Sequence, residues 1–197
     1  MQDQQVTHST STNPQPFLTD VKLLRARARE DIGEGAVTHS YTGDVNKAIA
    51  ILQSVLATEI VCVLRYTMHA VAATGISSTS VKQEFDEHAD DERQHARAIA
   101  ERINQLGGTP DFNPKGLETR AATEYGEASA NLVEMIKENL IAERIAVDHY
   151  RELIRYFGDQ DPGTRKVIEE ILVKEEEHAN DMHDLLVAHE GQPMLNT

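Results

Sequence analysis

Twice in this chain a glutamate and a histidine stand three residues apart inside an apolar stripe. No other feature restricts the fold as much. Residues three and four apart share one face of a helix. Val81, Phe85, His88, Glu92, His95, Ile99, Ile103 and Leu106 succeed one another at steps of four or three. Ile168, Ile171, Glu175, His178, Met182 and Leu185 repeat the arrangement far downstream. Glu92, His95, Glu175 and His178 are therefore expected at core positions. A buried carboxylate or imidazole is costly unless partnered, and a metal ion partners both at once. Glu176 is an alternative to Glu175, but only Glu175 lies three before His178.

Two further stripes carry one glutamate each. Val45, Ile49, Leu52, Leu56, Glu59, Val63, Tyr66, Ala70 and Ala73 keep strict four-three steps, and Leu132, Ile136, Leu140, Glu143, Val147, Tyr150, Ile154 and Phe157 form another stripe at steps of four or three. Such stripes are bundle seams. The first helix is expected from an Asp44 N-cap to Gly75, and the second from a Ser80/Gln83 capping box to Gly107-Gly108. The third runs from about Ala128 to Phe157 and is broken by Gly158. The fourth opens at Asp161-Pro162 and ends at Gly191. The longest connection, from Gly107 to about Glu127, carries Pro110 and Pro114, with room for a short helix around Leu117 to Glu124. The fold class is all-α: an antiparallel four-helix bundle with one long crossover between its second and third helices.

Counting from the turns sets the heights. Glu59 lies 16 residues before Gly75, and Glu92 lies 12 after Ser80. At roughly 1.5 Å per residue they fall within about 6 Å of one level. Glu143 lies 15 before Gly158 and Glu175 lies 14 after Asp161. The chain is thus an internal repeat, each half supplying a lone Glu with a Tyr seven residues on, then a Glu-x-x-His. Four Glu and two His meeting at mid-bundle suit two divalent cations, each with one His, one terminal Glu and two bridging Glu. Oxygen-rich ligation with one imidazole per ion fits iron or manganese better than zinc. Tyr66 and Tyr150, at identical offsets, are expected to hydrogen-bond the Glu ligands rather than only fill space. His88 is expected beside the ligands, not among them, and Cys62 as core filler. His8, His39, His69, His149, His183 and His189 follow no pattern.

Composition narrows the function classes. The chain has 197 residues, enough for one domain with a real core, and a net charge of −14. That charge argues against broad nucleic-acid binding. One cysteine allows no internal disulfide and points to a reducing compartment. The reading finds no 18-residue apolar run and no signal-peptide core, so no membrane partner and a cytoplasmic location are expected. Residues 1–43 divide into a polar, flexible tail and a short helix opened by Thr19 or Asp20 that carries Lys22, Arg25, Arg27 and Arg29 and fades near Gly33 and Gly35. This helix is expected to dock on the bundle or a partner subunit, or less favourably to bind phosphate. Residues 44–191 form the bundle and 192–197 a C-terminal tail.

Glu59, Glu92-x-x-His95, Glu143 and Glu175-x-x-His178 resemble the motif set of the ferritin-like di-iron proteins, and with Tyr66 and Tyr150 are most similar to bacterioferritins and the DNA-protecting starvation proteins. The resemblance covers about Asp44 to Glu190. It implies a ferroxidase centre of two iron ions per subunit, manganese being possible, fed by ferrous iron with oxygen or peroxide. Glu92 and Glu175 would bridge the metals, Glu59 with His95 holding one ion and Glu143 with His178 the other. It also implies self-assembly into a hollow iron-storing shell. Two departures carry expectations. Arg93 stands where bacterioferritins have a haem-ligating Met, so no haem is expected. No fifth helix follows Gly191, which favours a dodecameric shell over a 24-mer. DNA is an unlikely partner on charge grounds. The alternatives are a manganese catalase or rubrerythrin-like peroxidase on the same bundle, and a DNA-binding stress-protection protein. A rubrerythrin would add a Cys-rich domain.

Overall fold

The computed structural model describes residues 18–30, 32–33, 35–75, 78–126 and 131–190. Among the described residues six helices follow in order: α1 (Val21–Glu30), α2 (Val45–Ala72), α3 (Ser78–Gln105), α4 (Leu117–Arg120), α5 (Leu132–Phe157) and α6 (Pro162–Glu190). Among the described residues there is no strand. Helix α2 lies along α3 and α5 along α6, each pair joined by a short turn. The pairs meet through α2 with α5 and α3 with α6, and α4, within the crossover, packs on α2. This is the four-helix bundle that the stripes require.

The helix ends follow local chemistry. Asp44 caps α2 by accepting from the Lys47 amide at 3.0 Å. Asp161 caps α6 through the Thr164 amide at 2.8 Å, and Gly107, at φ 84°, stops α3 in the left-handed region that glycine enters at little cost. Three boundaries differ from the sequence reading. Helix α3 begins at Ser78, whose hydroxyl donates to the Gly75 carbonyl at 2.7 Å; Ser80 is already helical and Gln83 turns to Glu87 instead of closing a capping box. Asn131, accepting from the Val133 amide at 2.9 Å, opens α5. The crossover helix is only four residues long. Residues 1–17, 127–130 and 191–197 lie outside the described residues, and with them the N-terminal tail, the C-terminal tail and the question of a further helix.

The core has two apolar halves. One gathers Leu52, Leu56, Ile99, Ile103, Leu153, Phe157, Ile168 and Ile171. The other gathers Ala70, Val81, Phe85, Met135, Ile136 and Met182. Between them lies a layer of buried Glu and His. Helix α2 is buried more broadly than its seam predicts, taking in Val55, Val61 and Cys62, because the crossover covers its far side. It also corrects the expectation of no long apolar run. An 18-residue window of α2 reaches a mean hydropathy of 1.8, enough by length and composition to cross a membrane, and half of that window is buried inside the bundle. The helix serves as the central core helix; the bundle supplies partners for its buried Glu59 and Arg65.

Candidate metal centre

Each of the four long helices sends one glutamate into the middle layer. Glu59, Glu92, Glu143 and Glu175 are each at most 1 % exposed, and His95 and His178 are buried beside them. Two sets of donor atoms form, each within 4.8 Å: Glu59, Glu92, His95 and Glu175 in one, and Glu92, Glu143, Glu175 and His178 in the other. Glu92 and Glu175 belong to both. His95 Nδ1 lies 2.9 Å from Glu175, 3.3 Å from Glu92 and 3.4 Å from Glu59. His178 Nδ1 lies 3.8 Å from Glu92 and 4.0 Å from Glu143.

Five polar atoms of this layer are left unmatched. Glu59 Oε2, Glu92 Oε1, Glu143 Oε2, Glu175 Oε1 and His178 Nδ1 are buried without hydrogen-bond partners. Orphans of this kind are rare in native proteins. Carboxylate oxygens and imidazole nitrogens with their lone pairs facing a common interior are a donor set for cations.

Charge crowding shapes the layer. Burial, then the Glu92 charge, pushes Glu59 up to about 8. The same two causes raise Glu143 and, further, Glu175. For Glu92 burial acts upward too, but the facing His178 and His95 rings outweigh it and hold the group low. Burial opposes charge on His178, yet the facing Glu92 carboxylate raises it to about 8. His95 is likewise raised by Glu175, Glu59 and Glu92 against its own burial. Without metal the layer therefore retains protons that cations would displace.

The tyrosines cross between the halves of the repeat. Tyr66 on α2 donates to Glu143 on α5, and Tyr150 on α5 donates to Glu59 on α2. Each lone glutamate is thereby held by one oxygen while the other faces the layer. Burial, then the facing glutamate, raises both phenols well above their usual range, so they remain donors. Asp91 plays a part that the sequence reading missed: it lies 3.3 Å from His178 Nε2, which fixes that nitrogen as the donor and leaves Nδ1 for the layer. His88 lies buried beside the layer, with Nδ1 3.1 Å from the Tyr66 hydroxyl. Arg65, also missed, reaches Asn139 Oδ1 at 3.0 Å and the Glu124 carbonyl at 2.7 Å, pinning the crossover to the bundle. Cys62 faces Arg65 and Thr123 with burial raising its thiol, as core filler would. Arg93 lies outside the layer, exposed and paired with Asp90.

A family model for the ferritin-like domain matches residues 49–190. The chain belongs to that family. Among its relatives is a DNA protection during starvation protein of Pyrococcus furiosus, 29 % identical over 152 residues, covering 76 % of this chain and 80 % of the relative. A nutrient stress-induced DNA-binding protein of Synechococcus is 29 % identical over 150 residues, covering 74 % of this chain and 80 % of the relative. Of solved structures, the bacterioferritin-related protein of Bacteroides fragilis, described as a dodecameric thioferritin, superposes with a TM-score of 0.72 at 29 % identity, covering 89 % of this chain and 99 % of that one. The Dps of Thermosynechococcus elongatus shares the fold at 17 % identity, with a TM-score of 0.69 over 72 % of this chain and 90 % of that one. The buried donor clusters of this ferritin-like bundle fit iron.

Proposed function

We propose that the protein is a ferroxidase and iron store: each chain binds two Fe(II) ions in the middle layer, oxidises them with oxygen or peroxide, and retains the ferric product as mineral inside a closed homo-oligomer. One observation carries this reading, the five orphaned donor atoms on Glu59, Glu92, Glu143, Glu175 and His178 aimed into one buried layer. Glu92 and Glu175, common to both donor sets, bridge the ions; Glu59 with His95 completes one position and Glu143 with His178 the other. Four carboxylates balance the charge of two divalent cations. Adjacent Fe(II) ions supply two electrons, one each, to the oxidant. Tyr66 and Tyr150 keep the terminal glutamates in place, Asp91 holds the His178 tautomer, and the two apolar halves keep bulk water from the layer.

The oligomer is proposed as a shell of twelve, on the likeness to the dodecameric Bacteroides fragilis protein. DNA stays outside the proposal although relatives carry it in their names. The net charge of −14 opposes a polyanion, and the basic residues of α1 make a footprint of a single ten-residue helix. A salt-dependent gel shift separates the two readings. The function itself is tested by loading Fe(II) without oxygen, adding oxygen or peroxide, following the ferric absorbance and sizing the product. Rapid oxidation with iron retained in the assembly supports the proposal; oxidation no faster than in buffer contradicts it.

A further inference from the structure

A second cluster of donors lies on the flank of the bundle, outside the layer, where α3 meets α6. Glu84 and His88 are one turn apart on α3, and Asp181 faces them from α6. His88 Nε2 lies 3.4 Å from Glu84 Oε1 and 3.6 Å from Asp181 Oδ2, and the three donor atoms fall within 4.8 Å of one another. The carboxylates reach solvent, with side chains 32 % and 40 % exposed, whereas His88 is only 3 % exposed. Its Nε2 is buried and has no hydrogen-bond partner.

The tautomer of His88 follows from its neighbours. Tyr66 donates its proton to Glu143. The phenol oxygen then accepts, so His88 Nδ1, 3.1 Å away, must donate. Nε2 is left with a lone pair aimed at two carboxylate oxygens. Three lone pairs converging on one point make a donor set for a cation. The carboxylates crowd one another, burial and then Asp181 raising Glu84.

From this we infer that Glu84, His88 and Asp181 form a third divalent-cation site, where Fe(II) is captured from solvent before it enters the layer. The inference rests on the di-metal reading for the inner ligands that a captured ion would reach. One imidazole and two carboxylates suit Fe(II) or Mn(II). Donors continue inward, since His88, Glu143 and His178 also hold atoms within 4.8 Å of one another, and the His88 and His178 rings stack at 3.9 Å. The site is thus one ring away from the inner ligands.

The test separates outer from inner binding. In full-length protein carrying Glu92→Ala and Glu175→Ala, which removes both bridging residues, Mn(II) binding is counted by electron paramagnetic resonance. One ion per chain is expected to remain, and adding Glu84→Gln and Asp181→Asn should abolish it. In an otherwise wild-type chain the same outer pair of substitutions should slow iron oxidation at limiting Fe(II) by about tenfold, the order of a lost electrostatic capture step. No Mn(II) in the first variant, or Mn(II) that survives the outer substitutions, overturns the inference. Either result leaves the ferroxidase reading intact, because that reading stands or falls on oxidation by the wild-type protein.

Discussion

At the scale of single residues, the layer is a set of groups held where they are not self-sufficient. Glu92→Ala, His95→Ala or Glu175→Ala should each abolish rapid iron oxidation with the helical circular dichroism retained, because a crowded buried carboxylate is a cost to the metal-free fold and not a support. Wild-type rates in these variants would contradict the ligand assignment. Tyr66→Phe removes only the hydroxyl that orients Glu143, and metal affinity should fall about 10- to 100-fold; an unchanged affinity would reduce Tyr66 to packing. The protonation pattern also sets a pH dependence. Glu59 rises from 4.5 to about 8 and His178 from 6.5 to about 8. Groups with raised folded values stabilise below their ordinary value, and that contribution is lost as pH climbs through the folded value. His88, lowered to about 3, contributes in full above 6.5. The metal-free protein should therefore lose thermal stability between pH 6.5 and 8, and metal should restore more of it at the upper end. A metal-free melting temperature that rises across this window would refute the arrangement.

At the scale of elements, Asp161 is a junction outside the layer. It caps α6, accepts from Arg102 Nη2 on α3 at 2.8 Å, and accepts from the Tyr41 hydroxyl at 3.0 Å, so one carboxylate ties three segments together. Asp161→Ala removes the cap and strands a mostly buried guanidinium, which should cost about 2–4 kcal/mol in denaturant unfolding; a loss under about 0.5 kcal/mol would show that the junction is solvated. The elements differ in how far the sequence announced them. The four long helices were legible because their seams repeat without a break and because Asp44, Gly107, Gly158 and Asp161-Pro162 are local signals. The α3 start was misplaced because Ser78 and Ser80 are chemically equivalent in sequence, and only the approach of Gly75 selects Ser78. Asn131 was overlooked because apolar periodicity weakens at a helix end. Six layer residues were legible as heptad positions, whereas Asp91, Arg65 and Asn139 act across helices or on the crossover. No spacing along one helix reveals such partners, nor that Tyr66 and Tyr150 exchange glutamates between halves.

At the scale of the whole molecule, the bundle is two apolar blocks separated by a polar plate, and two halves of a repeat meet across that plate. Each half alone carries three of the four residues of one donor set and one of the other, so both sets are complete only when α2–α3 closes on α5–α6. Twelve chains of 21.9 kDa make about 263 kDa, and light scattering of the intact protein should give that mass; twice the value would replace the proposed shell with one of twenty-four. The central claim, that the buried layer is a two-iron site, is tested most directly by diffraction at the iron absorption edge from crystals loaded with Fe(II) under anaerobic conditions. Two anomalous peaks should appear in the layer, one against His95 and one against His178, with Glu92 and Glu175 shared between them. A layer without iron, or with a lone ion against one histidine, would contradict the account.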